Sequence, residues 1–216
     1  RSYRTAVMII FGITCRVVNK VNIEDINLCI ESIKKFHPDA KIIVVDSDSP
    51  DKSYMSSLRQ QGVIVEDIKN KNYETGTIWH LYQNYPSDRY IFLQDSMRLT
   101  ASLKEFLDRD FTAINYYPGW KHVTSQEKNW CKEQLAKTDY SFKEDNNFNM
   151  VQYNSFIISH SVLTLLESKN LRTVLPTEKA HSQAMERVFG IALTEEGLTT
   201  DQLIGSKVNK IWRKRK

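Results

Sequence analysis

The chain has 216 residues, of which 41% are hydrophobic and 26% charged, with only 7 Gly and 5 Pro; that is enough for one well-filled core and excludes collagen-like, low-complexity and wholly disordered chains. No apolar run reaches the roughly 18 residues that a bilayer-spanning helix needs. The net charge of +4 is uneven, because Lys207, Lys210, Arg213, Lys214, Arg215 and Lys216 form an acid-free cluster while acids slightly outnumber bases elsewhere; a near-neutral body with a basic tail over 207–216 does not resemble a nucleic-acid-binding surface.

Thr5 to Thr14 (TAVMIIFGIT) and Lys41 to Val45 (KIIVV) are short apolar runs of strand length, as expected of strands buried on both faces. Between them Ile23, Ile26, Ile30 and Ile33 fall at helical spacing, with Asn22 placed as N-cap and Pro38 beyond the end. A strand–helix–strand unit of this length predicts a parallel pair joined by a crossover. The pattern repeats with a helix over Tyr54 to Gln61, a strand over Val63 to Ile68, a helix over Thr75 to Tyr85 and a strand over Tyr90 to Leu93. The second half is less regular. It is predicted to hold a strand over Thr112 to Tyr117, an aromatic turn from Tyr116 to Trp120, a polar helix over Gln126 to Lys137 and a polar loop from Lys143 to Asn149. A strand over Ser155 to Ser159 and helices over Val162 to Glu167 and Lys179 to Phe189 complete it. The expected fold class is α/β with a largely parallel sheet flanked by helices, as a single domain over 1–216 whose regular half ends near residue 100.

In such a sheet, ligands bind at the carboxyl ends of the strands. After the second strand comes Asp46-Ser47-Asp48-Ser49-Pro50-Asp51, and after the fourth comes Gln94-Asp95-Ser96. Carboxylates at two such ends suit a ligand with hydroxyl groups and a metal-bound diphosphate, although Asp, Ser and Pro are also ordinary turn formers. The chain has no G-x-x-x-x-G-K-[ST] phosphate cradle, and Gly12-Ile13-Thr14-Cys15-Arg16 is no G-x-G-x-x-G turn. Hydrolase motifs of the G-x-S-x-G and H-E-x-x-H kinds are equally absent. Cys15, Cys29 and Cys131 are odd in number and widely spaced, which argues against a disulfide framework and for a reducing, cytoplasmic setting. The start, Arg1-Ser2-Tyr3-Arg4, is no signal peptide, and the missing initiator Met leaves room for further domains of a longer chain.

Ile42-Ile43-Val44-Val45-Asp46-Ser47-Asp48-Ser49-Pro50-Asp51, followed by Tyr90-Ile91-Phe92-Leu93-Gln94-Asp95-Ser96, resembles the nucleotide half of a GT-A glycosyltransferase. It is most similar to the large inverting family with a V-V-D-x-x-S-x-D segment and a later F-L-D-x-D, over about the first hundred residues. The resemblance implies a nucleotide-binding half over 1–100 and an acceptor-side half over 101–206. It implies a nucleoside-diphosphate sugar donor, with a UDP-sugar expected, a Mn2+ or Mg2+ ion, and a glycan or glycoprotein acceptor. Asp46 and Asp48 become nucleoside contacts, Thr14 a further nucleotide candidate and Asp95 the metal contact. Gln94 departs from the pattern, since a carboxamide stands where the family carries an aspartate.

An inverting transfer needs a carboxylate to take the acceptor proton. Similar enzymes place it in a helix of the second half, where Glu186 is the first candidate and Glu178 the second. Without the resemblance, the same helix reads as an ordinary amphipathic one with Glu186 and Arg187 solvated. His160, which follows a strand, is a candidate extra metal ligand, and His181 lies near the proposed base in sequence. The aromatic turn could stack on an acceptor sugar or simply pack its loop, and the basic tail over 207–216 could close over the diphosphate, bind an anionic surface or be a solvated end. A retaining transferase, and a catalytically silent sugar-nucleotide or glycan-binding module, are the competing readings.

Overall fold

The structure, a computed structural model, describes residues 7–198 and 205–211. The start of the first predicted strand and Arg213 to Lys216 of the basic cluster lie outside the described residues.

The centre of the molecule is a six-stranded sheet in the order β3-β2-β1-β4-β9-β6, built from β1 (Ile9–Cys15), β2 (Lys41–Asp46), β3 (Ile64–Glu66), β4 (Arg89–Gln94), β6 (Phe111–Ala113) and β9 (Phe156–Ser159). Strands β1 to β4 run parallel, and β9 is inserted antiparallel between β4 and β6. The expected α/β class with a mostly parallel sheet is what the chain forms. Both halves of the sequence supply strands to it.

Alternation along each strand divides the core in two. Phe11, Ile13, Val44, Ile91 and Leu93 face α1 (Lys20–Phe36) and α2 (Tyr54–Gln60), while Ile10, Ile43, Val45, Tyr90 and Phe92 face α3 (Tyr73–Asn84), α4 (Ser125–Leu135), α5 (His160–Ser168) and α6 (Lys179–Glu195). Both faces are therefore covered, which is why these strands read as continuous apolar runs. Two small ribbons flank the sheet: β5 (Met97–Leu99) with β10 (Val208–Lys210), and β7 (Tyr116–Pro118) with β8 (Asn149–Val151).

Several boundaries differ from expectation. The α1 N-cap is Asn19, and Asn22 instead occupies the third helical position, closing a reciprocal capping box by accepting from the Asn19 N–H. The strand expected over 112–117 is broken, because Ile114 leaves the ladder and Tyr116 pairs with Val151 in a separate ribbon. Lys207 and Lys210 are not a solvated tail: Lys207 pairs with Glu105 at 2.6 Å, and Lys210 belongs to β10.

Helix α6 crosses β8 so closely at Gly190 that an added Cβ would lie 2.2 Å from the Asn149 carbonyl oxygen. Backbone cannot swing aside as a side-chain tip can. Gly190→Ala is therefore expected to destabilise the fold by about 1–3 kcal/mol or more, read as a fall in Tm of roughly 2–4 °C per kcal/mol. An unchanged Tm would show that α6 is free to shift.

Candidate active site

From β1 the chain moves outward to β2 and β3, then returns to place β4 on the other side of β1. This reversal puts the topological switch point between β1 and β4, where an open sheet has its crevice at the carboxyl ends. The register aligns Thr14 with Gln94. The Asp95 N–H donates to the Thr14 carbonyl at 3.1 Å, and the Arg16 N–H donates to Asp95 Oδ2 at 3.0 Å. Asp95 thus ties the two strand ends together. Burial, reinforced by the neighbouring carboxylates Glu74 and Asp25, pushes its pKa up to about 6 despite the Arg16 N–H.

A polar cluster extends from this point. Gln94 Nε2 donates to Glu74 Oε1 at 2.6 Å, and Ser182 Oγ donates to Glu74 Oε2 at 2.8 Å, so one buried carboxylate in the first turn of α3 joins β4 to α6. Gln94 Oε1 accepts from Lys210 Nζ, whose ammonium also lies 3.9 Å from the centroid of the Tyr153 ring. Burial lowers the Lys210 pKa to about 8.

One turn beyond Ser182 on α6 stands Glu186. Burial raises its pKa to about 7, opposed by Arg187, by the Tyr153 backbone N–H that it accepts from, and by Lys179. Tyr153 and Asn154 both have left-handed backbones, with φ of 62° and 47°. Such conformations cost of order 1–3 kcal/mol each and persist where surrounding contacts fix them; here Asn154 Nδ2 donates to the Ser182 carbonyl at 3.0 Å.

Of the residues expected from sequence, Asp95 and Glu186 are brought into one electrostatic neighbourhood, because Glu74 acts on both and Lys210 interacts with both. Thr14 lies at the crevice, its hydroxyl donating to Thr77 Oγ1 at 2.7 Å. Asp46 is fully buried, accepting from Tyr54 Oη at 2.7 Å and from the Ser49 N–H at 3.0 Å, so it braces the turn after β2. Asp48 is exposed, with a left-handed φ of 53°. Asp46→Ala would strand two buried donors, and a loss of about 1–3 kcal/mol of stability is expected; a Tm equal to that of the wild type would remove this bracing role.

Three other candidates lie elsewhere. His160 follows β9, whose register sets Ser159 against Arg89, and its Nδ1 is 3.1 Å from Tyr90 Oη. That is the amino end of β4, roughly 16 Å of strand from Asp95, so the two do not share a metal. Glu178 is the α6 N-cap residue; it is 54% exposed and pairs with His181 at 3.1 Å, while His181 stacks on Trp130. In the aromatic turn, Trp120 packs on Phe142 and Phe148 and donates to the Lys143 carbonyl, which anchors the polar loop. A recess lined by Lys34, Pro38, Ile42, Gln61 and Gly62 lies at the amino ends of β2 and β3 and carries no carboxylate.

Glu74, Ser182 and Tyr153 escaped the sequence reading, and Lys210 entered it only as part of the basic tail. An acid in the first turn of a helix was the one signal available for Glu74.

The donor set does not suit a divalent cation at the end of β4. A hard dication needs anionic oxygens, yet the position beside Asp95 is a carboxamide whose oxygen faces Lys210 and whose NH2 is held by Glu74. Among the described residues, no group of three His, Cys, Asp or Glu side chains converges on such a point. None of their helices is long and apolar enough to cross a membrane.

No protein-family model and no curated protein matches the chain. Among solved structures, it is similar to the crystal structure of S. aureus TarS 1-349, with a TM-score of 0.47 and 11% identity over 85% of this chain and 56% of that one. The chain therefore spans about half the length of that structure.

Proposed function

We propose that the chain is a glycosyltransferase that moves a sugar from a nucleoside-diphosphate sugar, with a UDP-sugar as the expected donor, to an acceptor hydroxyl with inversion. The sequence resemblance supports the donor class. The observation that supports the site is the hydrogen-bonded chain Lys210–Gln94–Glu74–Ser182, which joins the end of β4 at the switch point to the helix that carries Glu186.

The chemistry follows from what each group can hold. As the acceptor oxygen forms its bond to the anomeric carbon, its proton passes to the Glu186 carboxylate. The bond from the anomeric carbon to the diphosphate oxygen breaks, and that oxygen leaves with the electron pair. A base with a pKa near 7 is ionised often enough to act and basic enough to accept a proton. Positive charge near the leaving oxygen lowers the barrier, and more so where water is excluded. Thr14, the Arg16 segment and Asp48 line the nucleoside side of the crevice in this reading.

The groups that set the titration of Glu186 are Arg187 and Lys179 on its own helix, the Tyr153 N–H, Glu74 on α3 and Lys210 on β10. Burial dominates, so turnover should rise as pH increases through about 7, where the ionised base becomes the main form. A rate that is flat from pH 6 to 8 would remove Glu186 from the role.

Thermal stabilisation by a panel of UDP-, GDP- and TDP-sugars tests the donor assignment, because a ligand bound only to the folded state raises Tm. At least one is expected to stabilise the chain at millimolar concentration. No shift with any of them would defeat the reading.

A further inference from the structure

We infer that the acceptor carries a negatively charged group, a phosphate or a carboxylate, close to the hydroxyl that attacks, and that Lys121 receives it. This rests on the reading of Glu186 as the base on the acceptor side. The position of Lys121 is fixed from inside the molecule. Arg187, the residue after Glu186 on α6, is 4% exposed; its Nη2 donates to the Lys121 carbonyl at 2.9 Å and its Nη1 to the Gln183 carbonyl at 2.9 Å. The turn that follows β7 is thereby tied to the helix that carries Glu186.

Two positive charges meet here with little to offset them. Buried charges are normally paired, yet the Arg187 guanidinium donates to neutral backbone carbonyls, and its Nε has no hydrogen-bond partner among the described residues. Glu127, which lies near Cys131 as Arg187 does, is occupied by its own capping box with Thr124. Glu186, on which Arg187 acts, has its pKa raised to about 7 by burial, so it is only partly ionised at neutral pH. Lys121 is exposed, and no carboxylate among the described residues pairs with it; its ammonium lies 5.0 Å from the centroid of the Tyr117 ring. A ring orients an ammonium without neutralising it. Tyr117 stands opposite Met150 in the β7–β8 ribbon, and Tyr117 and Glu186 both act on Tyr153, so ring, ammonium and base share one neighbourhood. An aromatic ring next to an exposed ammonium suits a sugar that bears an anionic group, because the ring meets C–H edges while the lysine binds the anion as a point charge.

The test measures binding to the full chain of matched neutral and anionic probes, glucose with glucuronate and ribose with ribose phosphate, and of UDP as the donor-side control. In at least one pair the anionic probe is expected to bind about tenfold or more tightly than its neutral partner, the size of one charge-assisted contact. The advantage should shrink as salt is raised, because Lys121 is exposed. Lys121→Met is expected to reduce it to about twofold or less and Lys121→Arg to keep most of it, while UDP affinity stays within about twofold in both. Arg187 bonds to the backbone of residue 121, so neither variant removes that contact, and the ligand-free Tm checks that each folds. Which pair shows the advantage separates carboxylate from phosphate. Neutral probes that bind as well as the anionic ones, or an advantage that survives in Lys121→Met, would overturn the inference. A loss of UDP affinity in Lys121→Met would place the residue on the donor side and overturn it as well. An advantage that depends on Lys121 without any binding of UDP would leave the anion site standing and defeat the nucleotide-sugar reading.

Discussion

Glu186→Gln is expected to lower turnover by about a hundredfold or more while donor affinity stays within about twofold of the wild type. The substitution is nearly isosteric and removes only the ability to take a proton. Stability provides an independent reading of the same residue. Its folded pKa of about 7 lies above that of an ordinary glutamate, so ionisation costs the fold increasingly from pH 4.5 upward and fully above pH 7. Glutamine carries no such cost. The variant should therefore be more stable than the wild type at pH 8, by up to about 3 kcal/mol, and should lose that advantage near pH 4. A solvated surface glutamate would show neither effect. Loss of donor binding would instead place Glu186 on the diphosphate side.

Glu74→Ala is expected to cost about 2–5 kcal/mol of stability and to abolish transfer, the largest structural penalty in the site. The carboxylate holds Gln94 Nε2 on one oxygen and Ser182 Oγ on the other, in a residue that is 9% exposed. Alanine leaves the Ser182 hydroxyl without this acceptor and Gln94 Nε2 with only the long 3.5 Å contact to the Tyr153 carbonyl. It also removes one of the acidic groups that keep the Lys210 ammonium charged. Glu74→Gln should fall between, because its oxygen can serve Gln94 while its NH2 donates to the serine hydroxyl. Thermal unfolding and turnover of the two variants check this; an alanine variant with wild-type Tm would mean that β4 and α6 are not joined here.

The regular half of the fold was legible because its strands are buried on both faces. Ile9 to Thr14, Lys41 to Val45 and Tyr90 to Leu93 carry apolar side chains to two cores at once, so their runs are continuous and stand out. The three-residue strands β5, β8 and β10 left no such mark. Their pairing depends on distant partners, as when Val208 meets Leu99, and no local pattern encodes it. Asn22 was misplaced as a cap for a simpler reason: Asn19 and Asn22 both serve the same capping box, and composition does not say which comes first.

The site was legible in part. Asp95 and Glu186, named from the resemblance, both interact with Glu74 and Lys210, and their roles remain proposals. Asp46 carries the right residue type at the right place, yet the fold spends both oxygens on Tyr54 and Ser49. His160 follows a strand as expected, but β9 runs antiparallel, so its end falls at the amino end of β4, away from Asp95. For Lys210 the sequence left open a contact with the diphosphate, an anionic surface and a solvated end; the pairing of β10 with β5 sets it beside Gln94.

The most direct test of transfer at this crevice is the release of nucleoside diphosphate from a panel of nucleotide-sugars, with candidate sugar acceptors, by the wild type and Glu186→Gln side by side. The wild type is expected to release UDP or another diphosphate in an acceptor-dependent way at pH 8, and the variant to do so about a hundredfold more slowly. Equal rates for the two proteins, or no release from any donor with any acceptor, would contradict the assignment.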